Sequence, residues 1–334
     1  MSFKKSFCLV SALNLLLIGS SPALSAPPGF AESAAKGNVL LQRAVQAFNA
    51  ADYASCVSLC KQALPLDHFN KNIVHLMALA YCEMDDSYNA KLQFRSALQL
   101  DYHFIECRNN YGIMLKKIND LDNAIKEFQE CIKIKSSYAP AHYNLALCYQ
   151  QKGDLDAAIT EFKTATHLNP RYFEAQRDLG LAIYQKFERG DGGDISECLD
   201  KLLAAAQLIP NNPMIHYHLG NIYCADGDLD EGEAEFRKAL IRDPQLSAAH
   251  YELARLRYLR GDPNRALFEV KEAQRVSPTY NEGKKYPIVD RIKLKQLEAK
   301  ASELTEDYET SLAAWRDVST LIANNKETLK HIQE

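Results

Sequence analysis

A pattern of small and large apolar residues returns every 34 residues, and it constrains this chain more than any other feature. The clearest copy runs from Ala139 to Tyr172, with His142, Leu145-Ala146, Tyr149, Gly153-Asp154-Leu155, Ala158, Phe162, Ala165 and Pro170. One period earlier stand Arg108, Tyr111-Gly112, Leu115, Asn119-Asp120-Leu121, Ala124, Phe128 and Cys131. Two periods earlier come Met77-Ala78, Tyr81, Asp85, Ala90, Phe94 and Ala97, and before them a weaker copy with Ala44, Asp52-Tyr53, Cys56, Cys60 and Ala63. The pattern also runs forward. Gln176, Leu179-Gly180 and Ile183 open a copy that closes on Cys198, Leu202, Ala205 and Pro210, its middle lengthened by six residues at Glu188–Asp194. His216, Leu219-Gly220, Tyr223, Gly227-Asp228-Leu229, Gly232, Phe236, Ala239 and Pro244 make the next. His250, Leu253-Ala254, Gly261-Asp262, Ala266, Val270, Ala273 and Pro278 make the last.

Each unit holds two stretches with apolar residues three, four and seven apart, the spacing of an amphipathic helix. A Gly-Asp or Asn-Asp pair between them marks a tight turn. Small residues such as Ala146, Ala158 and Ala165 let two helices approach, while Tyr149 and Phe162 fill the gap to the neighbouring unit. Pro170, Pro210, Pro244 and Pro278 are expected to stop the second helix. A pair of helices this short cannot bury its apolar face alone, so the units must stack.

The motif resembles the tetratricopeptide repeat (TPR), which carries W-x2-L-G-x2-Y, then A-x3-F, then P. Seven units match it, at 37–70, 71–104, 105–138, 139–172, 173–212 (with the insertion), 213–246 and 247–280. The resemblance implies an all-α solenoid, a right-handed superhelix of antiparallel helix pairs. Residues 281–334 read as a C-terminal helical cap, a divergent eighth repeat. Helical patterns lie near Val289–Glu303 and Glu306–Ala323, and the cap's Lys, Glu and Asp suit the polar outer face a terminal repeat needs.

Ahead of the array, Lys4-Lys5, an apolar Phe7–Gly19 and Ala23-Leu24-Ser25 have the layout of a secretory signal peptide, with cleavage expected after Ser25. Residues 26–36 read as a linker. The apolar stretch is too short to span a bilayer, and no later segment approaches the roughly 20 residues required. The chain is therefore expected to be exported, periplasmic or secreted, with an uncleaved anchor as the alternative. The lack of any Asn-x-Ser/Thr sequon leans toward a bacterial source. Losing Lys4 and Lys5 with the leader takes the formal charge from −4 to −6, which gives no basic stripe for nucleic acid. Eight cysteines remain after Cys8. Cys56, Cys60, Cys131 and Cys198 fill places that elsewhere hold Ala, Phe or Leu, so they read as packing thiols rather than a disulfide framework.

No catalytic, cofactor or metal residue emerges. His142, His216 and His250 share the repeat place of the signature's tryptophan, which makes them packing residues. His218 and Cys224 are six apart and share no helix face. The carboxylates of Gly190–Asp194 fit no EF-hand and read as a surface loop.

The resemblance also implies which side chains line the concave face: the second, fifth, ninth, twelfth and thirteenth of each unit. Those places bring up Asn109, Ile113 and Lys116; Tyr143, Leu147 and Gln150; Arg177, Leu181 and Tyr184; Tyr217 and Asn221; and Tyr251, Arg255 and Tyr258. Tyr and Arg are the residues enriched at binding hot spots. The implied function is a non-catalytic scaffold holding a protein or peptide in that groove. The competing reading is a small enzyme or ligand-binding protein using the tail or the Gly-Asp loop. The Lys/Asn pairs with which one TPR subfamily clamps chaperone carboxylates are absent: the matching places hold Asn109/Ile113, Tyr143/Leu147 and Arg177/Leu181.

Overall fold

A computed structural model describes residues 28–280 and 291–333. Among these residues the chain forms sixteen α-helices and no strand. They fall into two compact units, divided between Pro170 and Arg171. The first unit holds α1 (Pro28–Asn49), α2 (Tyr53–Ala63), α3 (Lys71–Glu83), α4 (Ser87–Leu100), α5 (Ile105–Lys117), α6 (Leu121–Ile134), α7 (Ala139–Lys152) and α8 (Leu155–Leu168). The second holds α9 (Phe173–Glu188), α10 (Ile195–Leu208), α11 (Pro213–Asp226), α12 (Leu229–Arg242), α13 (Ser247–Leu259), α14 (Pro263–Tyr280), α15 (Arg291–Leu304) and α16 (Tyr308–Gln333). In each unit consecutive helices pair, and each pair packs on the next.

One turn is reused to make the pairs. Ala51, Asp85, Asn119, Gly153, Gly227, Gly261 and Glu306 occupy the same repeat place, all with φ between 58° and 98°. The aspartate that follows starts the second helix. Asp52, Asp86, Asp154, Asp262 and Asp307 each accept a backbone N–H three residues on, at 3.1–3.2 Å. Such a cap satisfies one of the helix's orphan donors. Glu306-Asp307 repeats the device in the tail, which makes α15 and α16 an eighth pair built like the others. In the lengthened unit the loop glycines take over. Gly193 has φ 121°, and a Cβ there would lie 2.8 Å from the Ile183 carbonyl.

Packing follows the sequence pattern. Phe94, Phe128, Phe162 and Phe236 are fully buried at one place in the second helices. Gly112 and Gly220 leave room for the ring of their own pair: an added Cβ would stand 2.6 Å from Phe128 or Phe236. Between neighbouring pairs the stack is stitched by polar side chains. Asn110 Nδ2 and His75 Nε2 lie 3.1 Å apart, and Asn144 Nδ2 donates to Asn109 Oδ1 at 3.1 Å. At the turn edge Lys117 reaches Asp85, Gln151 reaches Asn119 and Lys152 reaches Asp122, at 2.6–2.9 Å.

Three expectations need correction. Residues 28–36 are not linker but the first turns of α1, where Pro28 can sit because a helix's first N–H groups are unbonded anyway. Pro278 does not stop α14, which runs on to Tyr280. The outer face of the terminal pair is not polar throughout: beside the exposed Glu309, Arg316 and Asp317, the apolar Tyr308, Leu312, Trp315 and Ile322 are exposed too. Trp315 holds the place of Phe162, and among the described residues no following first helix covers it. The leader and its cleavage point lie outside the described residues.

Candidate functional site

The first helices of each unit carry the side chains expected to face a partner, and the repeat turn fixes their register. In the first unit, Ile113 and Lys116 on α5 and Tyr143, Leu147 and Gln150 on α7 are half-buried. Asn109 is not available. It is buried and accepts from Asn144, so it belongs to the stitching between pairs. Tyr143 leans on the Phe162 ring, with centroids 5.8 Å apart.

In the second unit, Arg177 on α9 is held by its neighbour: Nε and Nη2 donate to Asp178 at 2.7 and 3.0 Å. Leu181 and Tyr184 are half-buried, and Tyr184 stacks on Phe187. Burial and the nearby Glu188 push the Tyr184 hydroxyl well above the usual tyrosine range. Tyr217 contradicts its expected position. It is only 9% exposed, its ring lies 6.0 Å from Phe236, and it belongs to the core. Its repeat place borders the groove, and a ring that folds back over the preceding turn is drawn into the contact between pairs. Asn221, Tyr251 and Tyr258 are half-buried, the two tyrosines packing on the core cluster of α13 and α14. Arg255 is exposed and its Nε donates to Glu252 at 2.8 Å.

The histidines form something the sequence reading missed. His142 Nδ1 lies 2.7 Å from Glu161 Oε2 and its Nε2 lies 2.9 Å from the Ser136 carbonyl. His216 repeats this with Glu235 and Pro210 at 2.6 and 3.0 Å. His250 repeats it with Glu269 and Pro244 at 2.5 and 3.2 Å. Arg108 does the same job, with Nη1 to Glu127 at 2.7 Å and Nη2 to the Tyr102 carbonyl at 3.0 Å. Each clamp ties a first helix to its own second helix and to the preceding connector. The signal was present as a His or Arg nineteen residues before a Glu. The Gly190–Asp194 loop is exposed, and Asp194 caps α10 by accepting from the Ser196 N–H at 2.9 Å.

Comparison with known families agrees with this register. Tetratricopeptide repeat models match residues 139–172, 187–247 and 219–278, and a TPR repeat model matches 112–153. The chain belongs to the tetratricopeptide-repeat family. No curated protein matches the sequence. Among solved structures, this TPR chain is similar to the C-terminal part of a TPR repeat-containing protein from Cytophaga hutchinsonii. That match has TM-score 0.58 and 15% identity, covering 72% of this chain and 97% of that one. It is also similar to pilF of Pseudomonas aeruginosa (TM-score 0.54, 17% identity, 65% and 91% covered). A third is a tetratricopeptide repeat protein from Parabacteroides merdae (TM-score 0.53, 14% identity, 81% and 99% covered). At these identities the likeness is one of fold.

Proposed function

We propose that this TPR protein is an interaction scaffold, and that it takes a peptide or helix of a partner protein on the inner faces of its first helices. The observation that carries this is the state of Tyr251, Tyr258 and Arg255 on α13. The two rings are half-buried against the core, so they are rigid, and Arg255 stands exposed between them. Rigid aromatics beside an arginine offer contact area at small entropic cost. The signal-like leader supports a setting in the bacterial envelope or outside the cell.

The test is capture of a partner from envelope extract by the full chain and by the double variant Tyr258→Ala, Arg255→Ala. Loss of hot-spot residues costs about 2 kcal/mol or more, roughly 30-fold in affinity. Capture is expected to drop at a temperature well below the variant's melting transition, which the lost Tyr258 packing lowers. Unchanged capture overturns the reading. N-terminal sequencing of the exported protein checks the setting, with Ala26 expected as the first residue.

A further inference from the structure

Two consecutive first helices of the second unit present the same unusual column. On α13 it is Tyr251, Arg255 and Leu259; on α15 it is Gln296, Lys300 and Leu304. Residues four apart share one helix face, so each column is a cation with an apolar side chain one turn beyond it. Alignment of the two helices rests on the shared turn, with Gly261-Asp262 after α13 and Glu306-Asp307 after α15. The two leucines are 63% and 55% exposed, large values for leucine and recurring at one repeat place. Elsewhere that place holds Asn49, Glu83, Lys117, Gln151, Gln185 and Ala225.

Both columns leave cationic donors uncommitted. Arg255 spends its Nε on Glu252, which is itself largely buried, and this fixes the plane of the guanidinium. The Nη edge, a bidentate donor suited to a carboxylate, faces outward from that pair. Lys300 is exposed. The acids nearest to it in sequence are already engaged. Glu303 accepts from Trp315 Nε1 at 2.8 Å and from Ser311 Oγ at 3.2 Å, and Glu298 accepts from Gln274 and pairs with Lys295. The inner faces of α13 and α15 therefore offer two cations about one helix spacing, roughly 8–10 Å, apart, each with an exposed leucine beside it.

We infer that this pair of columns binds an acidic segment of the partner in which carboxylates alternate with leucine-like side chains. This rests on the scaffold reading and names the partner's chemistry. The carboxylates meet Arg255 and Lys300, and the apolar side chains cover Leu259 and Leu304. The complementarity selects against basic segments, because a lysine there would meet the cationic donors of Arg255 and Lys300 and no acceptor.

The test is fluorescence anisotropy on the full chain with three labelled peptides of equal length: Glu alternating with Leu, Lys alternating with Leu, and Glu alternating with Ser. The Glu–Leu peptide is expected to bind more than about 30-fold more tightly than either other peptide. The charge-reversed variant Arg255→Glu, Lys300→Glu is expected to lose that preference. Leu259→Ser with Leu304→Ser is expected to weaken Glu–Leu binding while leaving its salt dependence unchanged. All four positions are exposed, so unchanged melting temperatures verify that the variants fold. If the Lys–Leu peptide binds as tightly as Glu–Leu and is lost in Leu259→Ser, Leu304→Ser, the acidic inference is overturned while the groove reading stands. Binding of none of the peptides also overturns it, and partner capture then judges the scaffold reading separately.

Discussion

At the scale of single residues, His75 shows how the stack trades solubility for order. It sits on α3, essentially inaccessible, between the rings of Phe94 and Phe104, with Asn110 beside its Nε2. Burial, with a smaller contribution from nearby Lys71, depresses its pKa to about 3. In the unfolded chain the same ring takes up a proton near pH 6.5. Between these values the unfolded state binds the extra proton, so stability falls as pH is lowered through that window. Each pH unit of separation is worth about 1.4 kcal/mol at 25 °C. His75→Gln keeps an acceptor for Asn110 and removes the titration. The urea midpoint of the wild type is therefore expected to drop more steeply between pH 7 and pH 4 than that of the variant. Equal slopes would show that the ring is protonated in place or leaves its site. Some slope is expected to remain, because His218 on α11 is depressed to about 4, chiefly by burial.

At the scale of helices, the repeated clamp decides how firmly each second helix is held. In His142, His216 and His250 both ring nitrogens face acceptors, a carboxylate and a backbone carbonyl. Arg108 makes the same two contacts from the equivalent place. Other charges share these sites: Lys238 bonds Glu235, Arg242 shares the Pro210 carbonyl, and Arg257 bonds Glu269. His216→Arg is thus expected to hold α11 to α12 about as well as histidine does. His216→Leu leaves Glu235 with Lys238 alone and removes a partner of the Pro210 carbonyl, and is expected to cost about 1–3 kcal/mol, read as a lower denaturant midpoint. A neutral result for the leucine variant would mean that Lys238 alone satisfies Glu235. The helix pairs themselves, their Asp-capped turns and their buried phenylalanines were all legible, because period and turn chemistry act locally. The clamps were not. A lone Glu161 or Glu235 looks like any solvated helix residue until the paired helix brings a histidine against it. Tyr217 misled for a related reason: spacing gives the side a residue points to, not how far its ring folds back into the core. The exposed Leu304 was hidden by the divergence of the eighth repeat, whose register is set by Glu306 in a left-handed turn that sequence alone assigns to glycine or asparagine.

At the scale of the whole chain, the cysteines report how tightly the stack is closed. The eight described thiols are all free. Cys56, Cys60, Cys82, Cys107, Cys131, Cys148 and Cys198 are buried, and Cys224 is half-buried. Burial pushes Cys131 and Cys198 up to about 12 and Cys148 up to about 11. The species that attacks oxidants and thiol reagents is the thiolate. A thiol that is both enclosed and held protonated reacts only when its repeat opens. Cys131 and Cys198 are further occupied, contacting the Ile105 carbonyl at 3.7 Å and the Gly180 carbonyl at 3.0 Å. Burial also raises the Cys224 thiol on α11, with Arg255 and Arg260 pulling the other way, but it alone of the eight is half-exposed and so within reach of reagent. In the full chain with Cys8→Ser, a thiol-reactive chromophore at pH 8 is expected to label one site quickly. The other seven should follow only at the rate of unfolding. Adding Cys224→Ser should abolish the fast phase and leave the slow ones. Several fast sites, or a non-reducing mass showing disulfides, would mean that the repeats open or pair their thiols in solution. The stack could then not serve as the fixed backing that Tyr251, Arg255 and Tyr258 require to hold a partner.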